Sequence, residues 1–281
     1  MKIGVIGNGF VGHAMTLLRP YVDVRVWDID PKKREPAGMC DFDDFVYTSQ
    51  LIFIAVPTPM RKSGSCDLRI VRDVVQQIKV SDYSANIVLR STVPPGTSEE
   101  LDVSFMPEFL TEKNWASDFK NCQHWVIGTN DPTVHISIQQ MLNLAHDSGN
   151  GSIINKDVQH TQPTVAEFVK YAKNCFLATK VSFFNELHSL CESSQVDYNA
   201  VRKFVGDDSR IGSGHTHVPG HDGNFGFGGT CFPKDMSALS YFAKKLGVDV
   251  PVLNACIRRN DYLDRPNKDW ENDTGRAVSD D

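Results

Sequence analysis

One cysteine in this sequence has the setting of a nucleophile. Cys231 lies in GFGGTCFPKD, Gly226 to Asp235, behind a glycine turn and just ahead of a proline. Pro233 suits the first position of a helix, and Gly247 follows a run of helical pattern, where a C-terminal glycine belongs. At a helix N-terminus the positive end of the macrodipole favours thiolate over thiol. Glycines ahead of the cysteine let another backbone or a substrate come close. The alternative is a buried structural cysteine beside a turn, since free cysteine is commonly buried. The rest of the chain has to decide between the two.

A second group of special residues opens the sequence. Gly7, Gly9 and Gly12 of GNGFVG form G-x-G-x-x-G directly after the apolar run KIGVIG. A helical pattern through Ala14, Leu17 and Leu18 follows. In that context the glycines allow a tight turn and backbone approach to a pyrophosphate at the helix N-terminus, with Phe10 and Val11 among the contacts. A second strand, VRVWD, ends at Asp28, about 20 residues on, as the fingerprint requires. Asp28 would accept from the adenosine ribose hydroxyls and so favour NAD over NADP, because a 2′-phosphate would meet a carboxylate. Lys32, Lys33 and Arg34 lie close by and weaken that discrimination, and Lys33 is itself a candidate cofactor contact.

These residues need a scaffold, and the chain supplies a regular one. Strands are expected at LIFIAVPTP (51–59), NIVLRST (86–92), VSFMPEF (103–109) and HWVIGTN (124–130), with helical patterns at Leu68 to Ile78 and Val134 to Leu144. Strands alternating with helices predict an α/β fold with a doubly wound sheet and ligand at the C-terminal strand ends. Pro57 and Thr58 of VPTP, and Ser91 and Thr92 of STVPPGT, stand at such ends. Turn chemistry and function are both open readings of these two segments.

From about Thr164 to Gln195 the sequence is one helical pattern, a rod of about 48 Å that can connect two lobes or build a dimer face. Glu167, Lys170 and Asn174, at i, i+3 and i+7, put three polar groups on one face amid apolar neighbours. A solvated stripe with a Glu–Lys pair is the simpler reading of such a triplet. A further helical stretch, Asn199 to Val205, leads into a glycine-rich loop carrying His215, His217 and His221. That spacing lacks the cysteine or acidic cluster of a metal site, and no metal is expected. The segment after Asp264, RPNKDWENDTGRAVSDD, is polar and expected to fray.

Composition excludes several classes. At 281 residues the chain holds one large domain or two modest ones, and 41% hydrophobic with 23% charged residues is the make-up of an ordinary soluble globule. A net charge of -6 lacks the basic footprint of a nucleic-acid binder, although a local basic pocket for a phosphorylated small molecule stays open. No run of eighteen apolar residues predicts a membrane span, and MKIGVIGNGF reads as a strand rather than a signal peptide. The seven cysteines are odd in number and scattered, with no C-x-x-C pair, which disfavours disulfide and zinc frameworks and fits a reducing cytoplasm.

GNGFVG, VPTP, STVPPGT, PEFLTE, EFVKYAKNCFLATKVSFFNEL, DDSRIG and GFGGTCFPKD occur in the order found in UDP-glucose 6-dehydrogenases. From residue 1 to about 264 the chain resembles that nucleotide-sugar dehydrogenase family, which also includes GDP-mannose and UDP-N-acetylmannosamine dehydrogenases. The resemblance implies a Rossmann-like NAD-binding domain over 1–160, a long helix with a helical catalytic and dimerisation domain over 161–264, and a polar tail over 265–281. It implies two successive NAD-dependent oxidations at one carbon, taking a sugar C6 alcohol to a carboxylate. Cys231 would attack the intermediate aldehyde as thiolate, and the resulting thiohemiacetal would become a thioester that water hydrolyses. Lys170 and Asn174 would stabilise the oxygen at C6. Asp235, with Thr92, would position the water used in proton transfer, and Glu108 would be the base for thioester hydrolysis.

By the same resemblance Phe109, Leu110, Glu112, Phe225, Gly226 and Gly228 would line the substrate. Pro57, Thr58, Thr92 and Lys234 would approach the cofactor. Arg210 would reach a neighbouring subunit's substrate, which implies a homodimer through the long helix. The residue types agree with these roles. A free cysteine, with a pKa of about 8.5, is mostly thiol at neutral pH and needs a helix-end or lysine field. A cationic lysine can stabilise a developing alkoxide.

Two departures stand out. The link between STVPPGT and PEFL is short where the family usually has an extra helix. The family also continues into a second Rossmann-like domain that helps bind the substrate nucleotide, so the chain reads as a short form lacking that UDP-binding domain. Uridine contacts are then expected from the long helix, the 211–228 loop, a partner subunit or a separate chain. UDP-glucose is the expected substrate, with GDP-mannose and UDP-N-acetylmannosamine as competitors. A two-electron β-hydroxyacid dehydrogenase has no need of Cys231, and a non-catalytic nucleotide-binding remnant has no need of the other site residues.

Overall fold

The computed structural model of the chain describes every residue except 20, 83, 148–151 and 281. It divides into two compact units, residues 1–58 with 68–170, and residues 59–67 with 171–281.

In the first unit the apolar runs become β1 (Lys2–Ile6), β2 (Asp23–Trp27), β3 (Leu51–Ile54), β4 (Ile87–Leu89), β5 (Ser104–Phe105), β6 (Trp125–Gly128) and β7 (Val158–Thr161). Among the described residues they form one sheet in the order β2-β1-β3-β4-β5-β6-β7. Neighbours from β2 to β5 pair in parallel, β5 meets β6 antiparallel at Phe105 and Gly128, and β6 pairs β7 in parallel. The helices are α1 (Phe10–Ala14), α2 (Phe42–Tyr47), α3 (Arg69–Ser81), α4 (Thr97–Glu100), α5 (Trp115–Lys120) and α6 (Pro132–Asp147).

Side chains alternate across a strand, so each buried strand feeds two cores. Leu51 and Phe53 of β3 join Ala14 of α1 and Ile138 and Met141 of α6. Ile52 and Ile54 join Phe45 of α2 and Val71, Val75 and Ile78 of α3. This is the doubly wound arrangement expected. The strand order reverses at β1, whose neighbours are β2 on one side and β3 on the other, which makes the C-terminal ends of β1 and β3 the crevice of such a sheet.

The strands are shorter than the apolar runs. β3 stops at Ile54 instead of continuing to 59, because Pro57 and Pro59 have no N–H to extend a ladder, and Pro107 follows β5 closely. β7 was not expected at all. Its sequence VQHT lies at the sheet edge, bonded among the described residues only to β6, and an edge strand needs no apolar period.

α7 (Pro163–Ser193) is the long helix, 31 residues or about 46 Å. Its residues to Lys170 belong to the first unit and those from Tyr171 to the second. The second unit adds α8 (Tyr198–Gly206), α9 (Phe232–Lys245) and α10 (Pro251–Arg259). One core holds Cys175 and Ala178 of α7, Phe227, Met236 of α9 and Cys256 of α10, and another holds Phe184, Cys191 and Tyr198. α9 ends as its sequence requires. Gly247 has φ +72°, its N–H donates to Lys244 O at 3.1 Å, and Val248 N–H donates to Ala243 O at 3.0 Å.

The polar tail, over its described residues 265–280, does not fray. Trp270 and Ala277 are buried, and Met60 N–H donates to Ala277 O while Ser279 N–H donates to Met60 O, both at 2.8 Å. Arg265 is buried and ion-paired to Asp222 at 2.7 Å and to Asp269 at 2.6 Å. Two apolar side chains and one arginine in a polar sequence are enough to anchor it, which composition averages away.

Candidate active site

The fingerprint loop has little room. Gly7 follows β1 with φ +97°, and a Cβ there would lie 2.5 Å from Ala55 O beyond β3. A Cβ on Gly12 would lie 1.9 Å from Gly7 O, so loop, helix and strand end are pressed together. At Gly9 the same construction meets nothing within 4 Å, which leaves the exposed side of the turn open ahead of Phe10 and Val11 in α1. Asp28, one residue past β2, accepts from Asn8 N–H at 2.8 Å and from Asp30 N–H at 2.9 Å. Its carboxylate is held at the crevice with lone pairs left for two hydroxyls. Arg34 is engaged elsewhere, donating to Asp28 O at 2.9 Å and Met39 O at 3.0 Å, with its guanidinium 3.8 Å from the Trp27 ring centroid. Lys33 is exposed. These residues fit NAD, with pyrophosphate at the open turn and the adenosine ribose on Asp28.

Asn8, which the motif writes as x, is part of the device. Its side chain donates to Lys33 O at 2.7 Å and meets His13 Nδ1 at 3.1 Å, tying the turn to the segment after β2.

The VPTP and STVPPGT segments are stitched together by Ser91, whose hydroxyl donates to Val56 O at 2.7 Å. Pro57 is exposed, whereas Thr58 and Thr92 are buried at the ends of β3 and β4. Ser91 therefore serves the turn, while the two threonines lie where the sheet presents ligand-binding groups.

Beyond β5, Glu108 and Lys170 form a buried ion pair. Lys170 Nζ donates to Glu108 Oε1 at 2.7 Å and to Glu108 O at 2.6 Å, and the other carboxylate oxygen accepts from Leu110 N–H at 2.7 Å. The side chains are only 4% and 5% exposed. Burial pushes the Glu108 carboxyl up. The Lys170 charge and hydrogen bond, the Leu110 N–H and the Arg90 charge outweigh it and hold the group below the usual carboxylate range. Phe109 packs with its ring centroid 5.7 Å from Lys170 Nζ, Leu110 is half-buried, and Glu112 is exposed.

Lys170 is placed by the turn of α7 before it. Glu167 is fully buried and accepts from Gly96 N–H at 2.6 Å, Ser98 N–H at 2.8 Å and Ser98 Oγ–H at 2.6 Å. The solvated-stripe reading of the triplet is therefore wrong, since Glu167, Lys170 and Asn174 are 0%, 3% and 8% exposed. Glu167→Gln should destabilise the chain by about 1–3 kcal/mol, because an amide NH2 would face a donor where the second carboxylate oxygen now accepts. Urea unfolding measures this. An unchanged midpoint would mean the three donors are satisfied some other way.

In the second unit Asp235 is the hub. Its carboxylate accepts from Asn174 Nδ2 at 2.6 Å and from Lys234 Nζ at 2.5 Å. Cys231 is the N-cap of α9, and its carbonyl accepts from Asp235 N–H at 3.0 Å. The helix begins at Phe232, so Pro233 takes the second position rather than the first, where its missing N–H is equally harmless. Burial would strip the proton from Lys234, but Asp235, Cys231 and Cys66 reverse this and raise its pKa above that of a free lysine. A permanent ammonium thus sits in the field of Cys231 and favours its thiolate. Cys175 is the contrast. Burial and the Asp235 charge push its thiol far up, so it is an inert packing group.

The glycine turn before Cys231 is held by residues the motif does not contain. Gly226 has φ +66°, and its N–H donates to Asn185 Oδ1 at 3.0 Å. Asn260 clamps Phe227, accepting from its N–H at 2.8 Å and donating to its carbonyl at 2.9 Å. A Cβ on Gly228 would lie 2.4 Å from Arg265 Cζ. Phe225 is exposed, with its ring 5.5 Å from that of His188. Arg210 stands on an exposed turn after α8, its guanidinium on Asp208 at 2.6 Å. Asparagine in a helical pattern is the only local hint of Asn185 and Asn260. Among the described residues no group of three or more His, Cys, Asp or Glu side chains could hold a metal ion.

Residues 35–144 match the NAD binding domain of the UDP-glucose/GDP-mannose dehydrogenase family, and residues 164–262 match its central domain. The UDP-glucose 6-dehydrogenase of Rickettsia bellii is 33% identical over 231 residues, covering 78% of this chain and 51% of the relative. YtcA of Bacillus subtilis is 31% identical over 301 residues, covering 93% of this chain and 68% of the relative. Among solved structures, a UDP-glucose dehydrogenase from the hyperthermophilic archaeon Pyrobaculum islandicum matches with a TM-score of 0.79 at 29% identity, covering 93% of this chain and 68% of that one. The chain spans about half the length of the Rickettsia relative and about two thirds of the other two. Two domains matched in order, at this identity and over this much of the sequence, show that the chain belongs to the UDP-glucose/GDP-mannose dehydrogenase family.

Proposed function

We propose that the chain carries out the four-electron oxidation of UDP-glucose to UDP-glucuronate. The observation that supports this most is Cys231 at the N-cap of α9, beside a lysine that stays protonated and a buried carboxylate. NAD, when bound at the fingerprint turn and Asp28, supplies hydride acceptance, once from the alcohol and once from the thiohemiacetal. The Lys170 ammonium, with Asn174, stabilises the C6 oxygen as negative charge develops on it. The Cys231 thiolate adds to the C6 aldehyde, forming the C–S bond. Once the adduct is a thioester, Glu108 takes a proton from water, hydroxide adds to the carbonyl, and the thiolate leaves. In this reading Asp235 and Thr92 serve the water of proton transfer, and Lys234 serves the cofactor.

The reading extends to a homodimer built on α7. In the second unit Phe176, Phe183 and Leu190 recur every seven residues along this helix and are 67%, 56% and 61% exposed, an unpartnered apolar stripe that a second copy would cover. A cytoplasmic location is in keeping with seven free cysteines. No helix among the described residues is long and apolar enough to cross a membrane.

The test is NADH yield from limiting UDP-glucose, GDP-mannose or UDP-N-acetylmannosamine. Two NADH per UDP-glucose are expected. A yield of one, or measurable NAD binding without turnover of any of the three, overturns the proposal.

A further inference from the structure

Three basic residues, Lys32, Lys33 and Arg34, follow Asp28 closely, and cations there favour the 2′-phosphate of NADP. Only Arg34 is withdrawn, spent on Asp28 O, Met39 O and the Trp27 ring. Lys32 and Lys33 are exposed, so cofactor choice falls on the Asp28 carboxylate and on whatever holds it. Its Oδ1 accepts from Asp30 N–H, two residues on. Its Oδ2 accepts from Asn8 N–H, 20 positions earlier in the glycine turn.

The Asn8 side chain fixes where that N–H stands. Nδ2 donates to Lys33 O at 2.7 Å and to Glu35 Oε1 at 3.2 Å, which commits both amide hydrogens. Oδ1 is then the acceptor opposite His13 Nδ1 at 3.1 Å, so Nδ1 carries the hydrogen. That hydrogen is present in the neutral Nδ1–H tautomer and in the imidazolium alike. Both holders are themselves held. The edge of the His13 ring meets Trp115 of α5, with centroids 5.2 Å apart. The other carboxylate oxygen of Glu35 accepts from Arg19 Nη1 at 2.5 Å. Its backbone exchanges two hydrogen bonds with Val26 of β2, at 2.7 and 2.9 Å. The hydrogen bonds of Arg19 and Asn8 outweigh burial and keep the Glu35 carboxyl below the usual carboxylate range, so it stays an acceptor at neutral pH.

Every polar atom of the Asn8 side chain is thus engaged, at a position of which the G-x-G-x-x-G motif asks nothing. A carboxylate held in place offers NAD two hydroxyl contacts and confronts NADP with a charge. Released from Asn8, it would be free to turn toward Lys32 or Lys33 and make room for a phosphate.

We propose that Asn8 is a positioning residue for cofactor selectivity: locked by His13 and Glu35, it holds Asp28 where it accepts from the adenosine ribose of NAD and excludes the 2′-phosphate of NADP. This rests on the placement of that ribose on Asp28 and is independent of which sugar is oxidised.

The test is the ratio of NADPH to NADH dissociation constants, read from nicotinamide fluorescence on the full chain without sugar. The wild type should prefer NADH by about 10–100-fold, the scale of a hydrogen bond to a charged group. N8A and H13L should each lower that preference by about fivefold or more, mainly through weaker NADH binding. H13N, which puts an amide nitrogen where Nδ1 stands, should return it to within about twofold of the wild type. Thermal unfolding checks the fold. His13 is half-exposed and leucine is a good helix former, so H13L carries the test if N8A is unfolded. Folded variants with an unchanged ratio overturn the proposal, as does an equal loss of affinity for both cofactors, which marks a merely structural role. D28A separates the two layers of the reading. If it keeps the preference, the ribose is not on Asp28 and the proposal falls with that placement. If it abolishes the preference while N8A and H13L keep it, the placement stands and the role of Asn8 alone is defeated.

Discussion

Cys231→Ser should stop the reaction short of the carboxylate. The complete four-electron turnover is expected to fall on the order of 10^3-fold or more, the scale on which loss of a nucleophile is felt. A serine hydroxyl at this position stays protonated at neutral pH, and neither the helix end nor the Lys234 ammonium can make it a comparable nucleophile. The fold should barely notice. Cys231 makes no side-chain capping hydrogen bond to α9, and serine is among the preferred N-cap residues, so the stability change should lie within about 1 kcal/mol. The two readouts separate cleanly, NADH stoichiometry for the chemistry and thermal unfolding for the fold. Two NADH per sugar from the variant would remove the covalent step from the mechanism.

Lys170→Met should be costly on both counts. It strands the Glu108 carboxylate in the interior, and breaking a buried pair from one side costs about 3–5 kcal/mol. Turnover should fall by about 10^2–10^3-fold, as expected for loss of a group that stabilises an oxyanion. The double variant with Glu108→Gln should recover most of the stability, since the stranded charge is gone, and none of the activity. The pH dependence has a definite sign. In the wild type the folded pKa of Glu108 lies below its unfolded value, so its contribution to stability is present above the unfolded pKa of about 4.3 and is lost as pH falls through the folded value. In Lys170→Met the main partner is missing and burial dominates, so the deficit should be largest at neutral pH and shrink on acidification. Urea unfolding at several pH values measures this, and a deficit independent of pH would point to lost packing instead.

The parts of this protein that were legible in its sequence are those whose physics is local. A glycine pattern after an apolar run reveals a strand, a turn and a helix, because each is specified within a few residues of itself. The bounds of α7 and α8 were legible for the same reason. The pairings were not. Glu108 and Lys170 are 62 positions apart, Gly226 and Asn185 are 41, and Phe227 and Asn260 are 33. A hydrogen bond between distant side chains imposes no period and no composition on the residues between. The family resemblance gives Glu108 and Lys170 separate roles, and only the fold joins them in one ion pair. Arg90 lies inside the expected strand 86–92, and nothing in LRST distinguishes its buried guanidinium from an exposed one. The anchoring of the tail is hidden from the sequence for a related reason. Trp270 and Ala277 are two apolar residues in a segment whose average is polar, and anchoring depends on which residues are buried, not on the mean.

That tail has a consequence for how the protein is made. Met60 pairs with Ala277 and Ser279, residues more than 200 positions later in the chain. A ribosome adds about 5–20 residues per second, so the segment around Met60 emerges roughly 10–40 s before its partner exists. Through that interval its backbone donor and acceptor are left to water or to a chaperone. The second unit cannot close around Met60 until residues 277–279 have emerged.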